Sequence, residues 1–337
     1  MTNRKASGSG EDALIARYFK PLATDPGAFD LVDDAAILKA SAEDVVVKTD
    51  AIVEGVHFLP DDPPDTVARK ALRINLSDLA AKGAAPAGFV LTLALRSVDD
   101  AWLGPFARAV GEDASAFGCP LLGGDTVSTP GPVMISIAAL GRVPAGKMVH
   151  RSGAKPGDRV MVTGTIGDAS LGLNILKGGA VAAALAGETA AREMLIARYR
   201  VPQPRNALAL AIREFASAAM DLSDGLAGDF AKLCAASGVS ASIAVPSIPL
   251  SAPAAALVAR NVAAIGTLIS AGDDYEIVCT VPQARCAAFA EAARGAGVAV
   301  TSIGTIAAEA EGPRFLDAKG RALAIEQPSY SHFQDRR

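Results

Sequence analysis

Acidic side chains recur at the edges of apolar segments in this sequence. The stretch MDLSDGLAGDF, residues 220–230, places Asp221, Asp224 and Asp229 among apolar and glycine residues. Acids stand beside apolar runs in the same way in LVDDAAIL (31–38), VVVKTDAIV (45–53), RINLSDLAAKG (73–83), LLGGDTVS (121–128) and SAGDDYEIV (270–278). A single aspartate in such a place is usually a helix cap or a turn residue. Because strand ends converge in α/β domains, six such stretches together predict that several carboxylates meet.

A group of carboxylates needs bound cations. Two carboxylates about 4 Å apart repel by ~4 kcal/mol at an effective dielectric constant near 20. Oxygen ligands without histidine or cysteine favour Mg²⁺ over zinc. Protein-bound Mg²⁺ usually keeps positions open for water and phosphate oxygens, so the pattern predicts a phosphate substrate.

Three segments are candidates for holding phosphate. The glycine pair of LLGGDTVS lies beside Asp125, and TGTIGDASLG (163–172) is a glycine turn before a helix. Arg151, in HRSGAKPGD, can bind phosphate in a bidentate manner. The alternatives are ordinary strand-to-helix connections for the turns and a solvated charge for Arg151.

The sequence offers no catalytic nucleophile. There is no GxxxxGK[ST] loop, no kinase-type catalytic loop, and no cysteine in a charged or glycine-rich setting. We therefore predict metal-assisted in-line transfer of a phosphoryl group, with no catalytic residue in the sense of a nucleophile or base.

Length and composition set the frame for these motifs. The 337 residues are 50% hydrophobic and 20% charged, and strands alternate with helices on both sides of a linker at 145–158, which predicts two α/β domains. A net charge of −4 with few aromatic residues excludes a nucleic-acid groove. No apolar run is long enough for a membrane span, and the N-terminal residues do not form a signal peptide. Four cysteines without a CxxC pair favour reduced thiols and a cytoplasmic location.

A set of motifs, in this order, resembles one family. The motifs are DDAAIL, TDAIVEGVHF, NLSDLAAKGA, GGDT, RSGAKPGD, VTGTIGD, DLSDGL, GDDYE and SYSHF, spread over nearly the whole chain. They are similar to those of thiamine-monophosphate kinase, in the aminoimidazole ribonucleotide synthetase-like ATP-binding superfamily. The resemblance implies Mg²⁺-dependent transfer of the ATP γ-phosphoryl group to thiamine monophosphate, which gives thiamine diphosphate and ADP.

The resemblance also implies roles for individual residues. Those that look like ligands of several Mg²⁺ ions are Asp34, Thr49, Asp50, Asp78, Asp125, Asp221 and Asp224. Those that look like nucleotide contacts are Gly124, Asp125, Arg151 and Ser223, and those on the thiamine-phosphate side are His57, Asp273 and Tyr330. Asp229 is expected to be an ordinary exposed helix residue.

Two positions depart from the family pattern. Lys48 stands where a hydroxyl is common, so its ammonium group either replaces part of a cation or lies on the outer face of its strand. Asp273 stands where glutamate is usual, one methylene shorter.

The fold implied is a two-domain α/β (α+β) fold. An ATP- and Mg²⁺-binding, dimerising domain spans 1–147 and a second α/β domain spans 148–337, with the N-terminal sheets of a homodimer pairing into a barrel. Strand 45–53, apolar on both faces, fits burial on both sides.

Other functions are possible on the same motifs. Selenophosphate synthetase needs a cysteine or selenocysteine near its N-terminus, and residues 1–30 contain no cysteine. The hydrogenase-maturation dehydratase ends in a reactive cysteine, whereas this chain ends in FQDRR. The purine enzyme is disfavoured by VHF, NLSDLAA and GDDYE. A phosphate-binding module without turnover is the alternative outside enzymes.

Overall fold

The computed structural model of the chain describes residues 13–31, 35–308, 312–325 and 328–329. The chain divides into one unit of Met1–Asn75 and Pro86–Arg142 and a second unit of Leu76–Ala85 and Val143–Arg337. None of the helices in the described ranges has the length and apolar character of a membrane span.

The first unit contains a four-stranded sheet with two long helices. Its strands are β1 (Glu43–Val53), β2 (Ala85–Leu95), β3 (Leu121–Ser128) and β4 (Met134–Pro144), in the order β1-β4-β2-β3. Its helices are α1 (Pro64–Ala81), whose last turn belongs to the second unit, and α2 (Asp100–Ala116). β1 confirms the strand predicted at 45–53, and the other elements confirm that strands and helices share this unit.

An ion-pair network joins the two helices of the first unit. The Asp113 carboxylate on α2 is buried and accepts hydrogen bonds from Arg69 (2.5 Å) and Arg73 (2.6 and 2.9 Å) on α1. A buried carboxylate that two guanidinium groups neutralise is stable inside the protein. Asp113 is therefore a structural acid.

Strand β1 is buried on one face only in the single chain. Val46 and Ile52 are buried, whereas Val45 and Val47 are 45% and 66% exposed. This differs from the predicted burial of both faces.

The second unit contains a six-stranded sheet. Its strands are β5 (Arg159–Thr163), β6 (Ala218–Asp221), β7 (Ser240–Ala244), β8 (Ile277–Val281), β9 (Val300–Ala307) and β10 (Pro313–Leu316). The order is β10-β7-β9-β5-β8-β6, and the pairs are antiparallel except for β10 with β7. Its helices are α3 (Asp168–Leu176), α4 (Ala180–Ala184), α5 (Thr189–Arg200), α6 (Ala209–Phe215), α7 (Leu226–Ser237), α8 (Ala252–Ala259), α9 (Ile265–Ser270) and α10 (Cys286–Gly295).

Two hydrophobic layers cover the faces of this sheet. Val160 and Val162 of β5 belong to a cluster that includes Phe230 of α7. Met161 belongs to a separate cluster that includes Phe289 of α10. Because successive strand residues point to opposite faces, β5 is buried on both sides, and the loops that follow β6 and precede β8 start from a rigid base.

Candidate active site

Asp50 lies near the C-terminal end of β1, where strand alternation decides which side chains accompany it. Lys48 and Asp50 share the face of the buried residues Val46 and Ile52. Thr49 lies on the opposite, exposed face. The side chains of the two predicted ligands Thr49 and Asp50 therefore do not converge.

Lys48 is on the inner face of β1, next to Asp50. Its Nζ lies 3.2 Å from Asp50 Oδ1, and both side chains are about one-third exposed, at 30% and 34%. The interpretation that placed Lys48 on the outer face of the strand is wrong. The position of its ammonium group agrees with the alternative, a positive charge at the predicted metal ligand.

His57 is held in a tight turn after β1. The Val53 N–H donates to His57 Nδ1 at 3.0 Å, and Lys70 Nζ donates to the His57 carbonyl oxygen at 2.9 Å. A neutral imidazole whose Nδ1 accepts a hydrogen bond carries its proton on Nε2. His57 can therefore donate a hydrogen bond to an anion.

The glycine pair predicted to bind nucleotide lies inside β3. A Cβ at Gly124 would come within 2.0 Å of the Leu91 carbonyl oxygen, so close packing against β2 requires this glycine. A Cβ at Gly123 would meet no atom within 4 Å. Gly123 is half-buried and Gly124 is exposed, so the backbone of Gly124 is the more accessible of the two.

A cavity of about 270 Å³ lies beside this pair. Its lining comes from β2, β3 and the N-terminal segment, including Phe19 and Leu93, and from Gly123, Gly124 and Asp125. The accessible surface of this lining is polar and apolar in similar measure, so the cavity can take a ligand that has both kinds of group.

The sheet order separates Asp50 from Asp125. Strands β1 and β3 are the two edges of the four-stranded sheet. Three inter-strand spacings amount to roughly 14 Å along a sheet, too far for two carboxylates to share one ion. The first unit of a single chain therefore does not bring these two predicted ligands together.

In the second unit, the loop after β6 and the turn before β8 are joined by main-chain hydrogen bonds. The Tyr275 N–H donates to the Leu222 carbonyl oxygen at 2.8 Å. The Asp273 N–H donates to the Ser223 carbonyl oxygen at 2.9 Å. Asp221, which ends β6, is buried. The structure thus brings together the DLSDG and GDDYE motifs.

The end of α1 that carries Asp78 lies beside the same turn. The hydroxyl of the preceding residue, Ser77, donates to the Tyr275 carbonyl oxygen at 3.4 Å. The turn itself is strained, because Asp273 and Tyr275 have φ values of 72° and 49°. Left-handed backbone at a non-glycine residue costs about 1–3 kcal/mol and is concentrated at functional sites.

Asp229 is not an exposed helix residue, and the prediction for it was wrong. Its side chain is buried, and its Oδ2 accepts the Asp224 N–H at 2.8 Å. Lys232 Nζ lies 2.7 Å from Asp224 Oδ2 and 2.8 Å from Asp229 Oδ1. Burial raises the pKa of Asp229 even with this lysine beside it. Asp229 and Lys232 thus hold the Asp224 loop.

Two buried acids of the GDDYE turn were not predicted. Asp274 Oδ2 accepts the Gly167 N–H at 2.8 Å, at the start of α3. Glu276 accepts from Arg198 Nη2 and Arg205 Nε, each at 2.7 Å. The motif showed the acids, but their partners lie 71 to 107 residues away in sequence.

The remaining predicted residues are less constrained or not described. The Arg151 side chain is exposed, and its carbonyl oxygen accepts from Ser237 Oγ at 3.4 Å. Asp34 and Tyr330 lie outside the described residues. Within the described ranges, no group of three or more His, Cys, Asp or Glu side chains is placed to hold a metal ion.

The cysteines are not activated. All four lie in the described part of the chain and are free thiols. Burial raises the pKa of Cys119 and of Cys234 to about 12, and it also raises the pKa of Cys279 and Cys286. Thiols with raised pKa values are poor nucleophiles.

Comparison with known proteins identifies the family. The family model "AIR synthase related protein, N-terminal domain" matches residues 32–143, and the corresponding C-terminal domain model matches residues 155–315.

The thiamine-monophosphate kinase of Caulobacter vibrioides is 46% identical over 324 residues, which cover 94% of this chain and 89% of that protein. The crystal structure of thiamine-monophosphate kinase from Stenotrophomonas maltophilia is 34% identical, with a TM-score of 0.81 over 94% of this chain and 98% of that chain. A structure described as AaThiL complexed with AMPPCP and TMP is 28% identical, with a TM-score of 0.75 over 91% and 97% of the two chains. The chain has the AIR synthase-like fold and belongs to the thiamine-monophosphate kinase family.

Proposed function

We propose that this chain transfers the γ-phosphoryl group of ATP to thiamine monophosphate, the last step of thiamine diphosphate synthesis. The observation that carries the proposal is the junction of the DLSDG loop with the GDDYE turn. Main-chain hydrogen bonds there hold Ser223 against Asp273, next to the buried Asp221 and to the end of α1 that carries Asp78. Residues expected on the nucleotide, metal and acceptor sides thus share one rigid junction.

The donor set fits Mg²⁺. The candidate ligands are the carboxylates of Asp50, Asp78, Asp125, Asp221 and Asp224, with Thr49 and the undescribed Asp34. Mg²⁺ is commonly held by one or two carboxylates together with substrate phosphates and water, so it does not need a group of three protein ligands. When bound, such ions neutralise the charge that develops on the phosphate oxygens during transfer.

The acceptor supplies its own nucleophile. A phosphate monoester has a second pKa near 6, so its oxygens are largely ionised at pH 7 and need no general base. His57, with its proton on Nε2, is suited to donate a hydrogen bond to an acceptor oxygen. The work of the chain is then to position two phosphates in line.

We assign the nucleotide to the first unit. The apolar side chains of the cavity, such as Phe19 and Leu93, suit a nucleobase, and the exposed backbone at Gly124, with Asp125, suits phosphate oxygens. The nucleotide contacts that the resemblance implies for Arg151 and Ser223 stay a prediction. We retain the assignment of ATP binding and dimerisation to residues 1–147 and of the second α/β domain to 148–337. A cytoplasmic location stays a prediction.

We further propose that the chain is a homodimer whose N-terminal sheets form a barrel. The exposed face of β1 carries Val45 and Val47, and an uncovered apolar face at a sheet edge favours pairing with another sheet. Pairing β1 of one protomer with β3 of its partner would place Asp50 of one chain near Asp125 of the other. That arrangement would bring together two ligands that the sheet order separates within one chain.

The proposed dimer is tested by measuring the oligomeric state and the activity of the same variants. We expect Val47→Glu to give a monomer in light scattering and to lose activity. Val98→Glu is the matched control, because Val98 is 61% exposed and lies before α2, outside the sheet. A wild-type protein that is monomeric at micromolar concentration and fully active would exclude the dimer.

Product analysis tests the reaction. The purified chain with ATP, Mg²⁺ and thiamine monophosphate should form ADP and thiamine diphosphate in equal amounts. Asp221→Asn should lower kcat ~10²-fold or more, because the lost charge acts on the transition state. Asp317→Asn, in the surface turn after β10, is the control. Binding of both substrates without product would support a phosphate-binding module.

A further inference from the structure

We infer that Asp274 is a positioning residue for the acceptor: its buried carboxyl group anchors the strained turn that presents Asp273. The inference rests on the proposed function. It concerns a residue that has no predicted contact with substrate, nucleotide or metal.

The turn at 273–275 is held on one side by main-chain bonds. Asp273 and Tyr275 both have left-handed backbone. Their N–H groups donate to the carbonyl oxygens of Ser223 and Leu222. Non-glycine residues stay in this conformation only where the surroundings over-determine it.

Alternate residues anchor the turn on the other side. Asp274, 2% exposed, accepts the Gly167 N–H at 2.8 Å. Glu276, fully buried, accepts from Arg198, Arg205 and Thr163 Oγ1, the last at 2.6 Å. Arg198 Nη2 also donates to the Asp274 carbonyl oxygen at 3.4 Å. The anchored side chains of residues 274 and 276 therefore fix the left-handed backbone conformation of residues 273 and 275.

The charges around Asp274 favour a neutral carboxyl group there. Three buried carboxylates, those of Asp168, Asp274 and Glu276, accompany two guanidinium groups, those of Arg198 and Arg205, so one proton balances the group. Burial is the main cause that raises the pKa of Asp274 well above its usual range. Asp274 Oδ1 has no hydrogen-bond partner among the described residues. An asparagine, neutral and of the same shape, can therefore accept the Gly167 N–H in its place.

The DLSDG loop has an anchor of its own. The Asp224 N–H is bound by Asp229, which Lys232 supports. Loss of the Asp274 anchor should therefore displace Asp273 and weaken the binding of thiamine monophosphate. It should change the binding of the nucleotide little.

Three variants test this inference. Asp274→Ala should raise the KM for thiamine monophosphate ~10-fold or more and leave the KM for ATP within about twofold, since small misplacements weaken oriented contacts strongly. Asp274→Asn should restore the KM to within about threefold of wild type. Ser240→Ala is the control for stability alone, because it removes another buried hydrogen bond, 2.6 Å to Gly312, on β7.

Hydrogen exchange provides a readout independent of turnover. Asp274→Ala should speed amide exchange in peptides covering 273–275, and Ser240→Ala should not. If Asp274→Ala does not fold, Asp274→Leu, which keeps the branched shape of the side chain but cannot accept a hydrogen bond, takes its place.

The outcomes separate this inference from the proposed function. If the wild type forms no thiamine diphosphate, the proposed function fails. The role of Asp274 is then still decided by two measurements, amide hydrogen exchange at 273–275 and calorimetric binding of thiamine monophosphate. An equal rise in both KM values, unchanged exchange at 273–275, or failure of both the alanine and leucine variants to fold would overturn the inference.

Discussion

Gly228 offers a way to move the C-terminal segment without weakening the fold. It lies in the first turns of α7, where Pro328 and Ser329 pack directly against it. A Cβ at this position would lie 2.4 Å from Ser329 Cβ and 2.8 Å from the Pro328 carbonyl oxygen. Tyr330, predicted to stack on the thiamine ring, is the next residue in the chain.

The effect of Gly228→Ala follows from two opposing terms. Alanine stabilises a helix by up to about 1 kcal/mol over glycine, so the free energy of unfolding should not fall much. Carbon atoms prefer a separation of about 3.5–4.0 Å, so residues 328–329 must retreat by about 1 Å. A displacement of this size at a substrate contact predicts a ~10-fold rise in KM for thiamine monophosphate, about 1.4 kcal/mol.

Steady-state kinetics and thermal unfolding check this together. The KM for ATP should stay at the wild-type value, and Tm should stay level or rise. Gly295→Ala is the control, since Gly295 ends α10 and an added Cβ there meets no atom within 4 Å. An unchanged KM for thiamine monophosphate would refute the predicted contact of Tyr330 with the acceptor. A large fall in Tm would refute the local nature of the effect.

Three further predictions concern titration, cations and thiols. Burial raises the pKa of Asp274 in the folded protein, so the native state binds this proton more tightly than the unfolded chain does. The stability that this proton contributes is complete below the unfolded-state pKa of about 4 and is lost as pH rises towards the folded-state pKa. Denaturant titrations should therefore show Asp274→Asn gaining stability relative to wild type as pH rises from about 4, and a difference that does not change with pH would contradict this. Lys48→Met removes an ammonium group that lies 3.2 Å from Asp50, so Mg²⁺ should raise the Tm of the variant at a lower concentration than it does for wild type. Lys39→Met, at an exposed position, is the control. Identical Mg²⁺ titrations of Lys48→Met and wild type would show that Lys48 is not part of the site. Cys286 is half-buried, whereas the other three cysteines are buried. Iodoacetamide should therefore alkylate Cys286 first in the native protein, which peptide mass spectrometry would show. If a buried cysteine is modified first, the packing around that cysteine is not as described.

Local patterns predicted the elements of this chain well where they are long. Strand 45–53 and the helix after residue 64 are β1 and α1, because apolar periodicity reflects the face that is buried. Short elements such as α4 and β10 were missed, since four or five residues give too little periodicity. The segment 10–22 is expected to be a helix, and its described residues 13–22 are helical, with a π-helical turn at Ile15–Phe19 and a 3₁₀ turn at Lys20–Leu22, where Pro21 lies.

The candidate site was predicted in its motifs and not in its arrangement. The sequence located DLSDG and GDDYE, and the structure joins them. The sequence patterns did not indicate that β1 and β3 are opposite edges of the four-stranded sheet, because strand order depends on the packing of whole elements. The expectation that the carboxylates meet therefore does not hold for Asp50 and Asp125 within one chain, and the proposed dimer is the arrangement that would let these two meet.

The acids of this chain differ in where their positive partners come from. Asp113 and Glu276 are each buried against two arginines that belong to other elements, and each is thereby neutralised by the protein itself. Asp50 and Asp224 are about one-third exposed, and each has a lysine ammonium group beside it from its own element or the next. An exposed lysine pair is worth at most about 1 kcal/mol and can rearrange, whereas a buried guanidinium pair cannot be given up without leaving an unpaired charge. Of these four acids, Asp50 and Asp224 therefore remain available to ions and phosphates. Spacing in the sequence cannot distinguish the two kinds, because the arginines that neutralise Asp113 and Glu276 lie 40 or more residues away.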